Sequence, residues 1–241
     1  MSNKFYQTGE QRGERVADLF GVIAKRYDLV NDLQSFGMHR RWKKLLVTMA
    51  GVKNGEKALD VCCGTGDIAF ALERAGAEVY GLDFSPEMLA VAEERSRGGG
   101  SSVRLQQGDA MNLPFADAMF DTVTVGYGLR NLANWQRGLE EMHRVTKPGG
   151  RLLVLDFGKP DFWPWRQIFF GYLRIVVPVL GRIFCHDSDT HAYILESLTA
   201  YPAQHGVAAK LKGLRCSDVE TRNLLGGAMS IHFARKSSSK E

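Results

Sequence analysis

The sequence predicts a doubly wound α/β fold: one mostly parallel sheet of seven strands with helices on both faces. Three observations point to it. Between Ala58 and Asp156, five short apolar runs alternate with amphipathic segments, the pattern of parallel strands joined by crossover helices. The first run ends in a glycine turn, "LDVCCGTGD" (59–67), at the strand end where such sheets bind ligands. Residues 214–235 read as two further strands joined by "LLGG", an antiparallel pair closing one edge.

In chain order, "ERVADLFGVIAKRYD" (14–28) has helical apolar spacing at Val16, Leu19, Phe20 and Ile23, and a second helix covers 38–50. "GVKNGE" is a turn. Strands at 58–62, 78–82, 103–107, 120–125 and 151–156 alternate with helices at 67–75, 86–96 and 135–146. Ser85 before Pro86 is an N-cap followed by proline at the first helical position. "RGGGSS" is a flexible connection and "KPGG" ends the helix at 135–146. Residues 160–212 read as mostly helical, and the tail "KSSSKE" as disordered.

The 241 residues are 44% hydrophobic, enough for one sizeable core and a single domain. A net charge of +4 is too mild to demand nucleic acid. Cys62, Cys63, Cys185 and Cys216 form no disulfide framework and no zinc-finger spacing, so free thiols in a reducing cytoplasm are expected. The polar N-terminus lacks the apolar segment of a signal peptide. The longest greasy stretch, "IFFGYLRIVVPVLGRIFC" (168–185), is broken by Arg174, Pro178 and Arg182 and does not read as a membrane span. It reads as a buried or half-buried helix, or else as a greasy cover over a lipid-like substrate or a membrane-skimming surface.

Gly64 and Gly66 let backbone approach a ligand closely. Asp83, 17 residues past Gly66, stands after the next strand, where an acid accepts hydrogen bonds from a ribose diol. The ligand therefore contains a nucleoside. "GTGDIA" satisfies a loose dinucleotide pattern, so a nicotinamide cofactor competes with S-adenosylmethionine. Asp67 argues against the first. A carboxylate at the start of the following helix repels pyrophosphate but suits ammonium and sulfonium charges, and a simple N-cap role leaves that charge in place. In "QQGDAMNLPF" (106–115), Asp109 can accept from an adenine amino group, with Met111 and Leu113 flanking the ring. A lipid-binding module with a vestigial cofactor site is the third reading, opposed by the intact turn and Asp83.

From about Val16 to Lys236 the chain resembles the class I S-adenosylmethionine-dependent methyltransferases, and more narrowly the family that C-methylates the quinol ring in menaquinone and ubiquinone biosynthesis. The narrow match rests on "AKRYDLVNDLQSFGMHRRWK" (24–43), "DVCCGTGDIA" (60–69), "GYGLRNLAN" (126–134), "LDFGKP" (155–160) and "YILESLTAYPAQ" (193–204). The resemblance implies a Rossmann-like fold with an N-terminal helical lid (1–50), a cofactor-binding core (55–157), a helical substrate cover after the fifth strand (158–212) and closing strands (213–236). It implies a donor site of Asp60, Gly64, Thr65, Gly66, Asp83, Phe84, Asp109 and Ala110, with Gly126 where a serine sometimes stands. It also implies a polyprenylated quinol as substrate, with a naphthoquinol favoured over a benzoquinol or another small-molecule acceptor.

Ring methylation needs a nucleophilic carbon, and a hydroquinone carbon becomes nucleophilic as its hydroxyl loses a proton. Arg130, beyond the fourth strand, is placed to stabilise the phenolate, and Asn131 to orient the other ring oxygen. The alternatives are a structural ion pair for Arg130 and a turn cap for Asn131. His39, in a helical segment with Tyr27 and Asp28, is the candidate proton acceptor, against a structural or surface role beside Arg40 and Arg41. "HDSDTH" (186–191) reads as a helix start rather than a metal cluster, and Cys62 and Cys63 as small packing residues. Phe162, Trp163, Trp165, Phe169 and Phe170 among Lys159, Arg166 and Arg174 suit peripheral contact with the inner face of a membrane.

Overall fold

The computed structural model describes residue 24 and residues 27–179 and 189–238, with side chains from residue 31 in its first helix and from residue 193 in the helix that opens at 189. Most of the expected helix over 14–28, the side chains of Tyr27 and Asp28, Cys185, the side chains of "HDSDTH" and the last three residues lie outside that description.

Seven strands form one sheet in the order β3-β2-β1-β4-β5-β7-β6. Strands β1 (Lys57–Val61), β2 (Glu78–Asp83), β3 (Arg104–Gln107), β4 (Phe120–Gly126) and β5 (Thr146–Phe157) pair in parallel. The closing pair, β6 (Cys216–Leu224) and β7 (Met229–Lys236), is antiparallel, with β7 against β5. The strand order reverses between β1 and β4, so the crevice for a ligand opens beyond their carboxyl ends.

The helices are α1 (Tyr27–Ser35), α2 (Met38–Ala50), α3 (Asp67–Arg74), α4 (Pro86–Gly99), α5 (Trp135–Val145), α6 (Trp163–Gly171), α7 (Asp189–Ala200) and α8 (Ala203–Gly213). Ser85 caps α4 by accepting from the Met88 amide at 3.3 Å. Helix α6 runs on through a π-helical turn, Tyr172–Val176. Among the described residues no helix is long and apolar enough to cross a membrane.

Strand β5 explains why the central runs are continuously apolar. Leu152 and Val154 pack into the core shared with Leu139, Leu198 and Leu211, while Leu153 and Leu155 pack on the other face with Leu46, Ile68 and Ile231. Both faces of the strand are covered, so neither parity is polar. Each such leucine contributes about 1.5–3 kcal/mol by leaving water.

Several elements differ from expectation. Helix α1 runs Tyr27–Ser35, past the expected end at 28, and α4 continues to Gly99, into the expected "RGGGSS" connection. Strand β5 begins at Thr146 rather than 151, because Thr146 already pairs with Phe120 before the "KPGG" turn. The turn is an irregularity inside the strand: pairing with β4 resumes at Thr122 and Arg151, and Gly149 takes a left-handed φ of 76°.

Candidate active site

The glycine turn leaves β1 with three left-handed residues, Cys62 (φ 55°), Gly64 (φ 55°) and Gly66 (φ 89°). A side chain at Gly66 is strained, since the residue is left-handed and a Cβ there would lie 2.5 Å from the Phe70 ring. The turn is tied to β2 through Asp83. Its Oδ2 accepts from the Gly64 amide at 2.7 Å and its Oδ1 from the Ser85 amide at 3.0 Å. Each oxygen keeps a lone-pair site, so the carboxylate can still receive a diol. Burial raises the Asp83 pKa, against the pull of those amides. Around it stand partly exposed Phe84, buried Ala110 and half-buried Asp109, whose Oδ1 accepts from the Met111 amide at 2.8 Å. Leu113 corrects an expectation: it is buried in the core, where its amide donates to Glu141, and cannot flank a ligand ring.

From the turn a narrow cleft leads inward between Asp60, Thr65, Asp67, Gly126, Tyr127 and Lys43 of α2, enclosing about 20 Å³ in this conformation. Asp60 is 1% exposed. Thr124 donates to its Oδ1 at 2.8 Å, and its Oδ2 has no partner. Burial pushes its pKa up to about 7, against the Thr124 bond and the nearby Lys43 charge. Asp67 is the second correction. Lys43 Nζ lies 2.7 Å and Arg95 Nη2 2.6 Å from its oxygens, and the N-cap of α3 is Gly66. Burial alone would raise its pKa, but the two cations hold it at about 2. Its charge is neutralised by protein, so it does not by itself repel a pyrophosphate. Thr65 is buried, and its carbonyl accepts from Arg95.

Beside the cleft lies an apolar cavity of about 330 Å³. Trp42, Phe157, Trp165, Phe169, Ile194 and Met229 supply much of its wall, and His39, Arg130, Tyr172 and Tyr193 its polar points. Tyr127 lines both spaces. It is a non-glycine residue at φ 63°, and its ring packs edge-on against Phe157. The two compartments thus share one wall, with polar groups on one side and a greasy chamber on the other.

The family model for the ubiE/COQ5 methyltransferase family matches residues 7–236. The chain belongs to this family. It is 40% identical over 240 residues to the demethylmenaquinone methyltransferase of Halalkalibacterium halodurans, covering 96% of each chain. It is 41% identical over 236 residues to the demethylmenaquinone methyltransferase of Desulfitobacterium hafniense, covering 95% of this chain and 92% of the other. A putative S-adenosyl-L-methionine-dependent methyltransferase from Methanococcus maripaludis shares the fold, with a TM-score of 0.63 at 16% identity over 98% of both chains. The fold is that of the class I methyltransferases.

Within this methyltransferase the residues expected for catalysis fall as follows. Arg130 is buried at the cavity wall. Its Nη1 donates to Asp156 Oδ1 at 2.9 Å and to the Tyr127 carbonyl at 2.6 Å, its amide donates to Asp156 Oδ2 at 3.1 Å, and its guanidinium lies 4.7 Å from the centroid of the Phe157 ring. The structural ion pair is therefore real, and it coexists with a position on the cavity. Asn131 donates to the Tyr127 carbonyl at 3.1 Å, so it caps the turn; its Oδ1 is buried without a partner. His39 is 3% exposed and lines the cavity. Its Nε2 is 2.8 Å from Asp32 Oδ1 and its Nδ1 has no partner. Burial lowers its pKa, partly opposed by Asp32. Asp32 itself is held at about 2 by hydrogen bonds from Arg40 and His39.

Cys62 and Cys63 are free thiols, pushed well above their usual pKa by burial and nearby carboxylates, which fits packing rather than attack. The aromatic cluster divides. Phe162 and Trp163 are 69% and 66% exposed, whereas Phe169 is 8% exposed and lines the cavity with Trp165. Exposed Phe36, Ile168 and Leu225 belong to the same cavity wall, so its mouth is rimmed with apolar side chains.

Sequence reasoning missed Tyr127, Asp156, Asp32 and Lys43. Only the flanking glycines of "GYGLRN" marked Tyr127, since they signal backbone held close to something. The other three lie in segments that carry the family match, Asp32 and Lys43 in 24–43 and Asp156 in 155–160 at the end of the fifth strand, but nothing in their local spacing assigns them a role.

Proposed function

We propose that this chain transfers the methyl group of S-adenosylmethionine to a ring carbon of a polyprenylated naphthoquinol, converting demethylmenaquinol to menaquinol. The observation that carries this reading is the pair of compartments sharing Tyr127: a polar cleft at the glycine turn beside an apolar cavity of about 330 Å³ with an exposed greasy rim. Relatives named demethylmenaquinone methyltransferase at 40–41% identity support it.

When bound, S-adenosylmethionine supplies an electrophilic methyl group. Asp83 holds the ribose diol, with Phe84, Asp109 and Ala110 at the adenine side. Gly64, Thr65 and Gly66 bring backbone against the donor, Gly126 lines the same cleft, and Asp60 offers its unpartnered oxygen to the donor ammonium. Donor entry widens the cleft, because small-molecule sites enclose roughly 300 Å³ or more.

On the acceptor side, Arg130 stabilises the phenolate with a charge already fixed in place by Asp156. Asn131 positions Arg130 by holding the Tyr127 carbonyl to which both donate. Asp32 is ionised, so His39 keeps its proton on Nε2 and its Nδ1 lone pair accepts the quinol proton. Residues 27–50 act as the lid and 158–179 and 189–212 as the cover, and the rim residues, with exposed Phe162 and Trp163, touch a membrane surface from which the quinol tail enters.

The test is transfer of label from S-adenosylmethionine to reduced demethylmenaquinol in detergent, with Arg130→Ala and Asp83→Ala alongside. Label in the quinone, lost in both variants, is the expected result. Donor binding without labelled naphthoquinone, but with labelled benzoquinone, would move the activity to the other quinol class.

A further inference from the structure

Helix α2 forms part of both compartments, and two adjacent residues divide the work. Trp42 lines the apolar cavity, and Lys43 lines the narrow cleft. Among the described residues lining that cleft, Lys43 is the one cation, beside two carboxylates, Asp60 and Asp67. Its side chain is 11% exposed, so the ammonium is held in the cleft rather than in bulk water. It has three N–H donors, and the 2.7 Å bond to Asp67 uses one of them. Asp67 has a second cation, Arg95, at 2.6 Å, and Arg95 stands outside the cleft lining. Lys43 can therefore share its charge with a ligand while Arg95 keeps Asp67 compensated.

S-adenosylmethionine carries two positive groups, an ammonium and a sulfonium, and one negative group, a carboxylate. In the cleft Arg95 compensates Asp67 from outside, which leaves Asp60 to face the donor's positive groups and Lys43 to face its carboxylate. We propose that Lys43 is a donor-binding residue that recognises the carboxylate of S-adenosylmethionine, so that α2 of the acceptor chamber is also a wall of the donor site. This rests on the donor reading above and adds a specificity determinant from the N-terminal segment to a site otherwise built by the sheet. A lysine that only braces α2 against α3 would not distinguish a donor with the carboxylate from one without it.

Decarboxylated S-adenosylmethionine keeps the ammonium and the sulfonium and lacks the carboxylate. Calorimetric titration of the full chain with both ligands gives the answer without turnover. The wild type should prefer S-adenosylmethionine by about 10- to 100-fold, the value of one charge-assisted hydrogen bond. Lys43→Gln should lose that preference by weakening S-adenosylmethionine alone, and Lys43→Arg should keep most of it. Arg95→Gln, which leaves Lys43 as the one cation on Asp67, should reduce the preference without abolishing it. Equal weakening of both ligands by Lys43→Gln, or no preference in the wild type, overturns the proposal. Failure of the wild type to bind either ligand would instead remove the donor reading itself.

Discussion

Replacing Asp60 with asparagine should stabilise the protein more at pH 8 than at pH 5. In the folded chain the Asp60 pKa is about 7, raised by burial from 3.8. Folding therefore favours the protonated form. The stability from this site is complete below pH 3.8 and is lost as the pH rises through about 7. The full loss spans about 3 pKa units, or roughly 4 kcal/mol at about 1.4 kcal/mol per unit. At pH 5 about a third of it is already lost, and at pH 8 nearly all of it. Asparagine does not titrate, so the variant's gain over wild type should grow by about 2–3 kcal/mol between the two pH values. For a chain of this size that is about 5–10 °C in melting temperature. Placing an amide nitrogen where Oδ2 has no partner carries its own cost, but that cost is independent of pH and cancels in the difference. Thermal melts of both proteins at pH 5 and pH 8, without donor, supply the measurement. A gain that is equal at the two pH values would refute the assignment of a buried, proton-favouring carboxyl to this position.

The remaining predictions concern the cavity and the turn. Arg130→Met leaves Asp156 buried without its cation, held by the backbone amides of residues 130 and 157 alone, and should cost about 3–5 kcal/mol in urea unfolding; adding Asp156→Asn should recover much of that stability but no methyl transfer. If the double variant regains activity, Arg130 serves the fold alone. His39 has a folded pKa below 6.5, so its contribution to stability is present above pH 6.5 and lost as the pH falls through the folded value. His39→Gln should therefore flatten the acid side of the stability curve, and an unchanged pH dependence in denaturant titrations would contradict this. Gly66→Ala forces a side chain into a left-handed residue against Phe70, so calorimetry should show a lower melting temperature together with weaker donor binding. Changing Phe162 and Trp163 together to aspartate should abolish flotation with anionic vesicles while donor affinity stays at the wild-type level; flotation that persists would place the membrane contact elsewhere.

Sequence alone determined the doubly wound sheet, the closing antiparallel pair, the glycine turn and the acid after β2, because each is written in local spacing. Periodicity distinguishes strand from helix, glycine marks a left-handed turn, and the place of a turn after a strand defines the ligand edge. It also reached Arg130 as a candidate through its place beyond the fourth strand, and His39 through its place in the N-terminal helical segment. What it left open was how the charges pair. Arg130 meets Asp156 from 26 residues away, Lys43 meets Asp67 from 24, and Asp32 meets His39 across the bend between α1 and α2. Asp67 looked like an isolated charge until the tertiary structure set two cations on it. One run of aromatics became two groups, Phe162 and Trp163 in water and Trp165 and Phe169 on the cavity, because the turn of α6 sends neighbours to opposite sides. Coulomb energy and burial depend on distance through space, and chain spacing carries no record of that distance. Only the fold could make Tyr127 the shared wall between a polar cleft and an apolar chamber.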